Sequence, residues 1–304
     1  MTVGSYGDVT AEYHALHSAA AVIDGQHLMV RVAGADAQSF LDSLLSQDLT
    51  GLDDGRVVRS LLLGPRGKLR ALLWVARFGE AFLLVADPEP AATVVADLTR
   101  FKLRVDVVID PPAPAVDLLG PGADELIGSR LGEGPRVALS APLGSLSRHF
   151  ILHAGLDEVA AAGARPVGLL AHTAVRVEMG EPVMGVDVDE ATIPQEAGLE
   201  TDAVSFTKGC YLGQELVARI DSRGHVNRYL RGVVLAENVL PPEGADVIAG
   251  EATVGSITSV SESLRVGAPV GLGLIRREVT PGTGVEIRWP GGSAAAEIRT
   301  LPLV

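Results

Sequence analysis

The sequence predicts an α+β protein: two modules that mix helices with strands, then a small all-β barrel at the C-terminal end. Three observations predict it. Up to Arg231, apolar residues recur either three and four apart or in short alternating runs. After Arg231 every apolar run is short, cut by glycine or proline, and no helical spacing survives. The 304 residues, 47% hydrophobic and 21% charged, suffice for several packed cores and are too apolar for a disordered chain.

Asp8 to Ala21 reads as a first helix, with Asp8 or Thr10 as cap and Val9, Tyr13, Leu16 and Ala20 among its apolar positions. Leu28 to Ala33 alternates as a strand and stops at Gly34. Asp36 to Ser46 is helical, with Phe40, Leu41, Leu44 and Leu45 inward. Arg56–Leu63 and Leu69–Arg77 are strands joined by the turn Gly64-Pro65-Arg66-Gly67. Ala81–Ala86 is a strand, Pro88–Lys102 a helix, and Val105–Ile109 a strand. Asp110-Pro111-Pro112-Ala113-Pro114 is stiff and reads as a connector between modules.

A second unit follows. Val116–Leu119, Arg136–Leu139 and Ser147–Leu152 are strands, and Ala123–Leu131 and Asp157–Gly163 are helices. His172 to Met179 is helical and ends at Gly180. Glu181 to Leu199 is long, irregular and acidic, the kind of loop that is functional or mobile. The expected division is 1–110, 111–228 and 229–304, with the first two modules free to interleave. Strands near 232–236, 247–248, 252–260, 270–275, 285–289 and 294–301 build the barrel.

Net charge is −13, a poor starting point for binding nucleic acid directly. One stretch departs from it: Lys208 to Arg231 carries five cations against two acids, a positive island suited to a small anion or an anionic partner. No apolar run is long enough to span a bilayer, and no secretory signal is visible. The single cysteine fits a reducing cytoplasm, and it cannot by itself hold a zinc ion or an iron–sulfur cluster. The seven histidines lack ligand spacing, so no metal site is expected. Nothing in the pattern calls for more than a monomer.

That cysteine, Cys210, lies in FTKGCYLGQELVAR, Phe206 to Arg219. Gly209 and Gly213 make a tight loop, and from Gln214 the spacing turns helical. A helix start and the Lys208 charge are both expected to favour the thiolate. A lone cysteine is otherwise a small buried hydrophobe, but these polar, glycine-rich neighbours favour a functional loop.

Lys208-Gly209-Cys210-Tyr211-Leu212-Gly213-Gln214-Glu215 resembles the signature of the YgfZ family of folate-binding proteins, relatives of the glycine-cleavage T-protein (aminomethyltransferase). Arg176-Val177-Glu178-Met179-Gly180, then Gly185, Asp187, Pro194 and Glu196, is similar to a run shared by both families. The resemblance extends more weakly to Phe40-Leu41, Gln47-Asp48 and Gly64 to Lys68. It implies a T-protein-like ring of three modules around a central site for tetrahydrofolate or a one-carbon derivative. It puts pterin recognition on Glu178, whose carboxylate would accept two ring N–H donors. Arg176, Asp187, Glu196, Tyr211, Gln214 and Arg219 are the further folate-site candidates, and Cys210 with Lys208 would carry chemistry at the pocket.

Where the resemblance calls for a T-protein catalytic aspartate, the sequence has Arg70 or Ala71. A true aminomethyltransferase is therefore disfavoured. The implied role is a folate-binding accessory protein for iron–sulfur assembly or repair. Its partners would be assembly or client proteins, including iron–sulfur enzymes of tRNA modification. The alternative is a folate-dependent aminomethyl or methyl transferase, or a demethylase of a small amine.

Overall fold

The computed structural model describes residues 3–131 and 136–304. Helix α1 (Val9–Ser18) starts where expected: the Asp8 carboxylate accepts from the Ala11 N–H at 2.9 Å, satisfying one orphan donor of the first turn. Then come β1 (Ala21–Ala33), α2 (Ala37–Leu44), β2 (Val57–Leu63), β3 (Leu69–Phe78) and β4 (Ala81–Ala86). Helix α3 (Pro88–Phe101), β5 (Val108–Ile109), β6 (Ala113–Leu119) and α4 (Ala123–Leu126) follow. The next group is β7 (Val137–Ser140), β8 (Arg148–Leu152), α5 (Leu156–Ala161), β9 (Arg165–Pro166) and α6 (Leu169–Met179). Short α7 (Glu200–Ala203) and α8 (Gln214–Arg223) lead to the barrel.

One sheet runs through both α+β units, in the order β2-β3-β4-β1-β6-β8-β7, with β5 and β9 also against β1. The 13-residue β1 is its middle, antiparallel to both β4 and β6. The stiff stretch at Asp110–Pro114 therefore does not divide two sheets: β6 already begins at Ala113 and pairs with Met29. The sequence shows only the second half of β1. Its first half is hidden because Asp24-Gly25-Gln26 interrupts the alternation, at a register shift between Ile23 and His27. Val105 does not start a strand either; the preceding Arg104 is left-handed, and pairing begins at Val108.

The two faces of the sheet differ. Val30, Val32, Ala71, Leu73, Val75 and Leu84 pack against α2 and α3. The opposite parity gathers Met29, Val85, Ala115, Phe150 and Leu152. Since side chains alternate along a strand, the residues two steps beyond these share that face. They are His27, Asp87, Asp117 and Arg148. An apolar face thus ends in a row of ionisable groups.

The barrel strands are β10 (Arg228–Leu235), β11 (Asp246–Ala249), β12 (Ala252–Ser263), β13 (Ala268–Arg276), β14 (Gly284–Trp289) and β15 (Gly292–Arg299). They close in the order β10-β13-β12-β11-β14-β15 around Val233, Val247, Ile257, Ile287 and Ile298. Val177 of α6 packs with Leu230, Val270 and Leu272, seating the barrel on the rest of the chain. Among the described residues no helix is long and apolar enough to cross a membrane.

Candidate functional site

Where the row of ionisable groups, α6, the loop after α6 and β12 meet, they enclose a cavity of about 250 Å³. His27, Asp87, Arg148, His172, Arg176 and Glu181 line it, with Ser259 from the barrel. His172 and Arg176 are four residues apart on α6, so both reach the same side of the helix.

Arg148 is 2% exposed. Its Nε donates to the Ala141 carbonyl at 2.8 Å and Nη1 to Glu181 Oε1 at 2.9 Å. Its guanidinium lies 5.4 Å from the Trp74 ring centre and 4.9 Å from that of Phe150. Two neighbouring rings and a carboxylate suit a planar, weakly hydrated cation. Burial would raise the Glu181 carboxyl, but the Arg148 and Arg59 charges bring it below its ordinary value. Asp87 goes the other way: burial pushes it up, against the opposing charge of His27. Burial takes the His172 imidazole down to about 4, so it is neutral at neutral pH; among the described residues its Nε2 has no hydrogen-bond partner. The cavity therefore holds both a neutral ring and carboxylates of different basicity, a combination suited to hydrogen-bonding and proton exchange.

Arg176 is the joint of the site. Its Nη1 donates to Asp187 Oδ2 at 2.6 Å and to the Glu181 carbonyl at 2.8 Å, and Nη2 to Ser259 Oγ at 2.6 Å. Asp187 also accepts from Thr258 and Ser259. One ion pair thus ties helix, loop and barrel together. The Glu181–Leu199 segment is ordered by such contacts and largely buried, with one short turn of helix at Pro194–Glu196.

The other sequence candidates lie elsewhere. Glu178 does not line the cavity. It is fully buried and accepts from Tyr13 and Ser263, with His17 Nε2 3.4 Å from its other oxygen. Two positions from Arg176, it faces another side of α6 and closes the joint with α1 and the barrel. Glu196 accepts from Arg228 and from the Ile193 N–H.

Nor does any residue from Phe206 to Arg219 line the cavity. Cys210 is exposed, with its loop against α2 and the β2–β3 turn. Lys208 explains the attachment: its buried Nζ donates to Asp42 Oδ1 and to the carbonyls of Asp42, Leu45 and Gln47, at 2.8–3.0 Å. Tyr211 is buried, its N–H bonded to Gln214 Oε1, and Arg219 is exposed. Gly213 is left-handed, and a Cβ there would meet the Gly64 carbonyl at 2.5 Å. The positive island is dispersed as well: Lys208 pairs with Asp42, Arg228 with Glu196, and Arg231 stacks on Tyr229.

His27, Asp87, Asp117, Arg148, His172 and Glu181 had escaped notice because they are scattered along the chain. The available signal is a charged or imidazole side chain within an apolar strand: His27 in GQHLMV, Asp117 in AVDLL, Arg148 in SRHFIL.

Comparison with known proteins agrees with this architecture. Residues 5–134 match the GCVT N-terminal domain, and residues 228–304 the glycine cleavage T-protein C-terminal barrel domain. An aminomethyltransferase of Bordetella petrii is 28% identical over 99% of this chain and 89% of its own. One from Alkaliphilus oremlandii is 26% identical over 95% of this chain and 88% of its own. The crystal structure of the glycine cleavage system aminomethyltransferase T from Bartonella henselae superposes with a TM-score of 0.87 at 21% identity, covering 97% of this chain and 89% of that one. With a matching domain at each end and the shared fold between them, the chain belongs to the glycine cleavage T-protein-like superfamily.

Proposed function

We propose that the chain binds a tetrahydrofolate in the central cavity and acts as a folate-dependent one-carbon transferase, moving an aminomethyl or methyl group. The observation that carries this is the pairing of Asp87 and Glu181 with the buried, neutral His172 around one cavity. The fit is to the pterin head. About 250 Å³ lies just under the roughly 300–1,000 Å³ common for ligand pockets, so the ring enters and the tail stays outside. Carboxylates accept from the ring N–H edge. When bound, the folate ring nitrogens supply the attachment point for the one-carbon unit. Relatives named aminomethyltransferase support this reading.

The place where the resemblance calls for a catalytic aspartate has no free acid. Arg70 is paired with Asp97 and Glu190, and Ala71 is buried. Asp87, between the next strand and α3, supplies the missing carboxylate. Incubation with tetrahydrofolate and candidate methylated or aminomethylated amines is the test. Catalytic formation of a one-carbon folate is expected, with loss in Asp87→Asn; no turnover with any donor class contradicts the transferase.

A second reading keeps the folate site and makes the protein a cytoplasmic accessory factor for iron–sulfur assembly or repair, with tRNA-modifying enzymes among its clients. What favours it is the exposed Cys210 within the YgfZ-like Lys208–Glu215 run. Full rescue of iron–sulfur enzyme activity by Cys210→Ala, in cells lacking the native protein, would remove the thiol from that role.

A further inference from the structure

We propose that His27 is the proton carrier of the central cavity and that Asp117 is its positioning residue; the proposal rests on the folate reading above. His27 Nδ1 lies 2.9 Å from Asp117 Oδ1. Asp117 is fully buried on β6. A carboxylate there can only accept, so in the neutral ring Nδ1 carries the hydrogen and Nε2 keeps its lone pair. Nε2 is on the cavity side, 3.8 Å from Asp87 Oδ1, beyond the about 2.7–3.2 Å of a hydrogen bond. Its bonding capacity is therefore open to a ligand. A merely structural histidine would have both ring nitrogens satisfied or sealed.

The surroundings suit the task. Charged and titratable groups face the ring from each element packed on it: Asp117 on β6, Asp87 before α3, Arg148 on β8, His172 on α6 and Glu181 in the loop. The Phe150 ring lies at 4.7 Å and fixes the imidazole plane. Burial alone pulls the imidazole down. The charge and hydrogen bond of Asp117, with Asp87 behind, outweigh burial and the Arg148 charge and lift it above its ordinary value.

The step is a proton transfer. When a ring N–H of tetrahydrofolate becomes an attachment point for carbon, that N–H bond breaks. Its electron pair stays on the ring nitrogen, and the proton bonds to the Nε2 lone pair of His27. Asp117 goes on accepting from the Nδ1–H and stabilises the imidazolium.

The test is a pH titration of ¹⁵N-histidine ring signals in the full chain, with and without tetrahydrofolate, in wild type and Asp117→Asn. Wild-type His27 is expected to be the Nδ1–H tautomer when neutral and to titrate above an ordinary histidine. Tetrahydrofolate should shift its ring signals and midpoint, and Asp117→Asn should lower the midpoint by about one unit or more. If tetrahydrofolate moves the His172 signals and leaves His27 unchanged, the proton-carrier role is wrong while the folate site stands. If no cavity signal moves, the folate site itself is wrong and the role goes with it. A midpoint unaltered in Asp117→Asn overturns the positioning role. The wild-type comparison decides the carrier role even if that variant does not fold.

Discussion

The Lys208–Glu215 loop and the central cavity are built on opposite principles. The loop is one contiguous run whose unusual residues serve mainly to fix it to the surface: Lys208 holds α2, and Gly213 lets the backbone lie on the β2–β3 turn. The cavity is assembled from scattered single residues: His27 on β1, Arg148 on β8, His172 and Arg176 on α6, with Asp87 and Glu181 in the segments that follow β4 and α6. A dense local motif therefore marks a place where the backbone is constrained, and that need not be where ligand-sized space lies. In the loop, packing and backbone shape dominate; in the cavity, electrostatics does.

Substitutions can break this contrast. The largest effect is expected for Lys208→Met, which leaves three carbonyls and the Asp42 carboxylate without their shared donor. Destabilisation of about 3–5 kcal/mol is expected, read from the urea midpoint at constant m-value. A loss below about 1 kcal/mol would mean the lysine is not a structural pin.

Next comes the acid limb set by His172. Its folded value, about 4, is below the ordinary 6.5, so the unfolded chain binds more protons between the two. Stability must then fall as pH drops from 6.5 through 4. The difference of about 2.5 units corresponds to roughly 3 kcal/mol. His172→Gln should lose that much less than wild type over the same window, by denaturant unfolding at each pH; equal slopes would contradict a buried neutral imidazole.

Gly213→Ala combines a left-handed backbone with a close approach to the Gly64 carbonyl. A cost of about 1–3 kcal/mol is expected in thermal or urea unfolding. Cys210→Ala is the smallest, within about 0.5 kcal/mol, because the side chain is exposed. A larger loss would place the thiol in the packing of the loop.

The same contrast decides what was legible. Where one physical signal acts locally, the sequence reading held: the Asp8 cap, the turn at Gly64–Gly67, the stop of α6 at Gly180, and six barrel strands separated by glycine and proline. Tertiary pairing was hidden. β1 carries a bulge at Asp24–Gln26 that disguises its first half, and its partners β4 and β6 come from opposite sides of the expected module boundary. Within the site, Arg176 and Asp187 were picked out because they fall within one run of sequence, and the fold pairs them. Glu178, also in that run, turned to the α1–barrel joint because two helical positions rotate a side chain to another face. His27, Asp87, Asp117 and Arg148 met only once the strands were paired in register.

The most direct test of a folate site in the cavity, separate from the thiol loop, is calorimetric titration of tetrahydrofolate into wild type, Asp87→Asn and Cys210→Ala. Asp87→Asn keeps an acceptor for the Met184 N–H and removes the charge. The expected result is saturable binding to wild type, a loss of roughly tenfold or more in Asp87→Asn, and wild-type affinity in Cys210→Ala. Equal affinity in wild type and Asp87→Asn, or a loss confined to Cys210→Ala, would contradict it.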